Sequence, residues 1–221
     1  MKTNELIASC QNEWDGYIKH RFVVELGRGT LPKEVFRHYL EQDYLFLIQF
    51  ARAYALAVYK SDNFVEMRKP LAALHSLINH ETRLHVEYCN AWGLTEAEMM
   101  SIPEATGTVA YTRLVLDAGQ SGSLTDLYTA LAPCAVGYGH IGRWLAESPE
   151  TVWEGNPYRE WIETYSGEEY QSGVIDSIAQ LDGLLAEISD NSLNAGRIRK
   201  VFRSATCMEI AFWEQGYDAM K

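Results

Sequence analysis

The chain has 221 residues, enough for one sizeable core that would bury roughly 70% of the unfolded surface, so a single domain over 1–221 is expected. A formal net charge of -11, with no basic run anywhere, argues against nucleic acid and against an anionic membrane surface as partners. No run of about 18 apolar residues occurs, the longest candidate being the short AYALAVY at 53–59, so no bilayer span is expected.

The N-terminal MKTNELIASCQNEWDGY alternates polar and apolar residues at helical spacing and lacks the apolar core of a signal peptide, so it reads as mature structure of a cytoplasmic protein. A first helix is expected from about Asn4 to Glu25, stopping at Gly27-Arg28-Gly29, where Thr30 and Pro32 open the next. The second runs through EVFRHYLEQDYLFLIQFARAYALAVY, residues 34–59, and ends near Lys60-Ser61-Asp62-Asn63. A third is expected from Phe64 to Trp92, bent at Pro70 and ended by Gly93. Thr95, with Glu98 three residues on, is a capping box for a short helix ending before Pro103. Further helices are expected over 103–118, 124–147, 156–166, 168–188 and 193–219, separated by Gly, Ser-Pro, Ser-Gly and Asp-Asn breaks. With no strand signal and no repeat, the fold class is an all-α bundle. The four cysteines, Cys10, Cys89, Cys134 and Cys207, are scattered without a C-x-x-C pair and read as reduced thiols.

Three of these helices carry one reactive residue each on an otherwise apolar stripe. In the second, Phe36, Tyr39/Leu40, Asp43, Phe46/Leu47, Phe50 and Tyr54 follow the three-then-four rhythm of one face. A carboxylate there must find partners, because unpaired burial costs at least several kcal/mol. The helix over 124–147 repeats the pattern with Leu127, Leu131, Cys134, Tyr138, Ile141 and Leu145, and Pro133 predicts a local kink at the cysteine. In the last helix, Phe202, Ala205/Thr206, Glu209, Phe212/Trp213 and Gly216/Tyr217 place Glu209 centrally. A shared pocket explains all three economically. The other reading makes Asp43 and Glu209 structural carboxylates paired with a buried Arg or Tyr, and Cys134 a packing residue.

At these residues the sequence resembles the TenA, or thiaminase II, family, whose fold is helical and haem-oxygenase-like. The resemblance covers almost the whole chain and rests on GRGTLPKEVFRHYLEQDYLFLIQFAR, ALAPCAVGYGHIG, NPYREWIETYSGEEY and CMEIAFWEQGY, in that order. It implies hydrolysis of 4-amino-5-aminomethyl-2-methylpyrimidine to the hydroxymethyl compound in thiamin salvage, with thiamin cleavage as a second activity. It also implies a homotetramer that uses no cofactor and no metal. Carried over residue by residue, Cys134 in P-C-x-x-G-Y matches the nucleophile and Glu209 in E-x-x-x-W the proton donor. Asp43 in Q-D-Y matches the carboxylate gripping the pyrimidine edge, Tyr138 and Tyr165 match substrate-binding tyrosines, and Tyr111 in VAYTRL resembles a stacking aromatic. Tyr158 lies in the same segment as Tyr165, but the Y-S-G context favours Tyr165. One departure stands out: the family usually places a tyrosine where this chain has Phe46, which keeps the apolar wall and removes a hydroxyl held to help activate the cysteine. Tyr44 or Tyr138 are the alternative hydroxyls.

These implied roles make chemical sense. Water attacks an unactivated aminomethyl carbon slowly, whereas a thiolate can add to the ring and push electrons toward the exocyclic carbon. An acid then protonates the departing amine. A carboxyl group suits the amino edge of the pyrimidine, where an N–H donor sits beside a ring nitrogen.

Two other classes compete. A haem or di-metal oxidoreductase would draw on NHETRLHVEY, but His80, Glu81, His85 and Glu87 do not have H-E-x-x-H or E-x-x-H spacing and read as surface or structural. His20 lies where a haem ligand would be sought, yet YIKHRFVVEL also fits the start of the resembled family. A non-catalytic pyrimidine-binding protein is the third class, and Phe46 keeps it open.

Overall fold

The computed structural model describes residues 1–91 and 93–221, with side chains for all of these except His80, Glu81, Arg83, Leu84, His85 and Ala91. The described residues form helices and no strand, as the periodicity predicts. None of these helices is long and apolar enough to cross a membrane. The helices are α1 (Thr3–Ser9), α2 (Gln11–Ile18), α3 (Arg21–Gly27), α4 (Lys33–Lys60), α5 (Phe64–Ser76), α6 (Thr82–Ala91), α7 (Glu96–Ser101), α8 (Thr106–Ser121), α9 (Leu124–Glu147), α10 (Arg159–Ser166), α11 (Glu168–Leu185) and α12 (Leu193–Asp218). They belong to two compact units, the first comprising Met1–Pro32 with Tyr128–Glu214 and the second Lys33–Leu127 with Gln215–Lys221.

In the first unit the expected single helix over 4–25 is three short ones. Cys10 (φ -136°, ψ 42°) and Lys19 (φ -107°, ψ 26°) leave helical geometry, and His20 is extended (φ -57°, ψ 151°). The imidazole of His20 explains the last break, because its Nδ1 accepts the Phe22 N–H at 3.2 Å and so caps α3. Each piece still buries its apolar side, with Leu6, Trp14, Tyr17, Phe22 and Leu26 all in the core. The loop after α9 is tied to the end of α3 by Asn156, whose Nδ2 donates to the carbonyls of Leu26 (3.1 Å) and Gly27 (3.0 Å).

The second unit is organised on α4, against which α5, α6, α7 and α8 pack. Its apolar face is buried along Phe36, Tyr39, Leu40, Phe46, Leu47 and Phe50. α5 runs through Pro70 without ending, and the expected continuous helix is interrupted later, by a π-helical turn over Leu77–Glu81. Two side chains there bond to backbone carbonyls and compete with the regular ladder: Asn79 Nδ2 to His75 (2.8 Å) and Thr82 Oγ1 to Ile78 (2.8 Å). The capping box at Thr95 forms, with Thr95 Oγ1 accepting the Glu98 N–H (3.3 Å) and Glu98 Oε2 accepting the Thr95 N–H (2.8 Å). α8 begins at Thr106, not near Pro103, because the backbone before it is bound to Gln42 of α4.

Candidate active site

The predicted residues fall into two sets, one in each unit. Asp43, Phe46 and Tyr111 belong to the second unit; Cys134, Tyr138, Tyr165 and Glu209 belong to the first.

In the second unit Asp43 is 4% exposed, and the Tyr39 hydroxyl one turn earlier donates to its Oδ2 at 3.2 Å. The buried carboxyl thus has a tyrosine hydroxyl as a hydrogen-bond partner, which meets part of its desolvation cost. One turn further, the Phe46 ring lies against Tyr111 (centroids 4.9 Å) and Phe50 (5.2 Å), forming an aromatic wall beside the acid. Tyr44 does not lend its hydroxyl to this face. It donates to Glu96 of α7 at 2.7 Å, and burial together with that carboxylate pushes its pKa up to about 12.

Gln42, which sequence reasoning overlooked, is buried next to Asp43. Its Oε1 accepts from the Ala105 N–H and from the Thr108 hydroxyl, both at 2.8 Å, and its Nε2 donates to the Pro103 carbonyl at 3.1 Å. A buried amide beside a suspected binding carboxylate was the signal available in EQDYLFL. Its partners lie some sixty positions away and could not be read.

In the first unit α9 is close-packed because it carries glycines where neighbours approach. A Cβ at Gly137 would lie 2.7 Å from the Tyr17 hydroxyl oxygen, and one at Gly142 would lie 2.5 Å from the Tyr165 carbonyl oxygen. Tyr138, one turn after Cys134, packs on Tyr165 (5.0 Å), Trp213 (5.5 Å) and Trp161 (5.9 Å). Tyr165 in turn packs on Trp161 at 4.4 Å. Gln171 Nε2 fastens α10 to α9 by donating to the carbonyls of Gly139 and Tyr165, both at 2.8 Å. Glu209 is 2% exposed, one turn before Trp213, whose ring stacks on Phe22 at 4.4 Å.

The two candidate tyrosines of the 156–170 segment have different partners. Tyr158 donates its hydroxyl to the Leu31 carbonyl at 2.6 Å, a structural bond, while Tyr165 lies against Tyr138. Cys10 and Cys89 are buried, and Cys134 and Cys207 are half-buried. Burial raises the thiol pKa of Cys10 and of Cys207, and that of Cys89 to about 11, so these three stay protonated at neutral pH. Cys134 is half-buried, on the aromatic face of α9.

Among the described residues no cluster of three or more His, Cys, Asp or Glu could hold a metal ion. The side chains of His80, Glu81 and His85 lie outside the described residues, and Glu87 is exposed. Both ring nitrogens of His20 are engaged, Nδ1 with the Phe22 N–H and Nε2 with Glu214 at 3.0 Å.

Residues 7–219 match the model of the TENA/THI-4/PQQC family. A Haemophilus influenzae protein described as uncharacterized is 42% identical over 214 residues, covering 97% of this chain and 98% of its own. An aminopyrimidine aminohydrolase of Halalkalibacterium halodurans is 33% identical over 214 residues, covering 96% and 94%. Among solved structures, a TenA family transcription regulator from a Silicibacter species superposes with a TM-score of 0.90 at 40% identity, over 96% of this chain and 95% of that one. A Shewanella denitrificans domain with a heme oxygenase-like fold superposes with a TM-score of 0.75 at 12% identity, over 100% of this chain and 94% of that one, and shares the fold alone.

Proposed function

The chain belongs to the TENA/THI-4/PQQC family, and on that premise we propose that it is an aminopyrimidine aminohydrolase. The substrate is 4-amino-5-aminomethyl-2-methylpyrimidine and the products are the hydroxymethylpyrimidine and ammonia, a step in thiamin salvage. Thiamin cleavage is a second activity of the same site. The observation that carries the reading is the near full-length similarity, at 33% identity, to a relative named for this activity.

The Cys134 thiolate adds to the pyrimidine ring, forming a C–S bond and shifting an electron pair toward the ring nitrogen, where Asp43 shares a proton. The electrons return through the ring to expel the exocyclic amine, which leaves as ammonia with a proton supplied by Glu209. Water then adds at the exocyclic carbon and gives a proton back to Glu209, and breaking of the C–S bond restores the thiolate and the aromatic ring. Tyr138 and Tyr165 face the ligand's polar edge, and Tyr111 stacks on the ring beside Phe46. The reading of Cys134 as the nucleophile is supported by its half-burial and by its place one turn before Tyr138 on α9. The protein works in the cytoplasm, with its cysteines reduced, as a homotetramer. Tyr59, Phe64 and Val65, 82%, 79% and 71% exposed around the α4–α5 turn, are the kind of apolar patch that assembly covers.

Ammonia release from the aminomethylpyrimidine tests the chemistry. Wild-type protein is expected to turn over and Cys134→Ser to lose activity almost completely; full activity in the serine variant refutes covalent catalysis. A second reading, a pyrimidine-binding protein without turnover, draws on Phe46 and on the commitment of Tyr44 to Glu96. It predicts tight binding of the hydroxymethylpyrimidine and no ammonia release by the wild type.

A further inference from the structure

Gln42 stands immediately before Asp43, and it is 1% exposed. Its amide orientation is forced. The Ala105 backbone N–H can only donate, so Oε1 faces it, and the Pro103 carbonyl can only accept, so Nε2 faces that side. The Thr108 hydroxyl spends its proton on the same Oε1 and accepts in turn from Gln215 Nε2 at 3.2 Å. The result is a directed chain of hydrogen bonds, Gln215 to Thr108 to Gln42 to the Pro103 carbonyl, with the Ala105 N–H converging on the same Oε1.

That start has no cap of its own. Ala105 occupies the N-cap position and has no side-chain acceptor, so the buried amide from α4 holds the N–H and the side chain that open α8. α8 carries Tyr111 one turn beyond Thr108, where its ring meets Phe46 of α4. The same amide therefore ties the helix that carries a carboxylate suited to the edge of a flat heterocycle to the helix that carries an aromatic ring suited to its face.

We infer that Gln42 is a positioning residue that sets the register of Tyr111 against Asp43, and so the fit of a pyrimidine between stacking ring and hydrogen-bonding acid. The inference rests on the aminopyrimidine reading of this site. The amide touches no reacting atom. Its loss shifts the grip on substrate in the ground and transition states alike, so it raises KM and leaves kcat nearly unchanged.

Gln42→Glu keeps both acceptor contacts and loses the donation to Pro103; Gln42→Met removes all three contacts at similar volume. KM for the aminomethylpyrimidine is expected to rise about tenfold in the Met variant and less in the Glu variant, with kcat within about threefold of wild type and melting temperature followed in parallel. Thr108→Val, which cuts the same chain from α8, should raise KM in the same direction, and it reads the proposal should the Gln42 variants fail to fold. Wild-type KM in Thr108→Val and in any folded Gln42 variant overturns the inference, as does a loss confined to kcat. If the wild type shows no turnover, the dissociation constant of the hydroxymethylpyrimidine takes the place of KM. Absence of both turnover and binding in the wild type sinks the aminopyrimidine reading, and this inference with it, whereas normal wild-type behaviour with unmoved variants sinks the inference alone.

Discussion

The two sets of candidate residues are held by different physics. Around Cys134 the order comes from contact: glycines let α9 approach Tyr17 and the backbone of Tyr165, and rings of Tyr138, Tyr165, Trp161 and Trp213 lock against one another. Around Asp43 it comes from directed hydrogen bonds, from Tyr39 to the acid and from Gln42 to the start of α8. Packing resists any change in volume, and a hydrogen-bond network resists any change in donors or acceptors. The two regions should therefore fail under different substitutions.

The harshest test is Gly142→Ala. The added methyl meets the Tyr165 backbone, which cannot turn aside as a side chain can, so overpacking should cost about 3 kcal/mol and displace Tyr165. Chemical denaturation should show the loss of stability, and activity should fall with it. Gly137→Ala meets only the Tyr17 ring and should cost less. Equal costs at the two positions would mean that backbone approach is not what fixes α9.

Tyr39→Phe is the matching change on the other side. It keeps volume and removes the donor to Asp43, so stability should fall by about 2 kcal/mol while the aromatic wall of Phe46 and Tyr111 persists. Weaker pyrimidine binding without a matching change in near-ultraviolet dichroism would mark the network, not the packing, as the support of this half.

That contrast also explains what could be read in the chain beforehand. The stripe holding Asp43 and the capping box at Thr95 are local or periodic signals, and each appears where the spacing put it. The break at His20 was hidden, because a histidine that caps through Nδ1 is not among the usual capping residues. Gln42 was hidden for a different reason. Its place beside Asp43 marks it in sequence, but only the distant Ala105 and Thr108 reveal what the amide does. Periodicity reports faces, and the partners across a fold are invisible to it.

Acid should loosen the contact-built region first. Burial lowers the pKa of His20, His38 and His140 below the ordinary 6.5, and two of the three, His20 and His140, belong to the first unit. Glu214 and Glu25 oppose the shift at His20 and Arg21 adds to it; Glu41 opposes it at His38, and Arg143 adds to it at His140. As pH falls through 6.5 the unfolded chain takes up protons that the folded chain still refuses. The stability is thus fully present above that value and is lost as pH falls through the lower folded pKa values. At His20 the incoming proton lands on Nδ1, facing the Phe22 N–H it had accepted, so the cap of α3 is broken as well. Melting temperature should drop between about pH 7 and pH 5, less in His20→Asn, which can cap without titrating. A flat profile over that range would remove the histidines from the account.

The smallest expected change is also the most selective. Phe46 contributes a wall and no hydroxyl, and the nearest tyrosine in sequence, Tyr44, donates its hydroxyl to Glu96. Phe46→Tyr adds one oxygen to a ring packed on Tyr111 and Phe50, so it brings a directed bond into a place now held by contact alone. The buried hydroxyl needs a partner, and without one the change costs about 1–3 kcal/mol of stability. If the missing hydroxyl limits activation of Cys134, kcat for ammonia release should rise a few-fold, and KM should stay put because stacking is unaltered. If instead stability falls and turnover does not rise, the missing hydroxyl is not what limits the reaction, and the wall of Phe46, Tyr111 and Phe50 is complete as it stands.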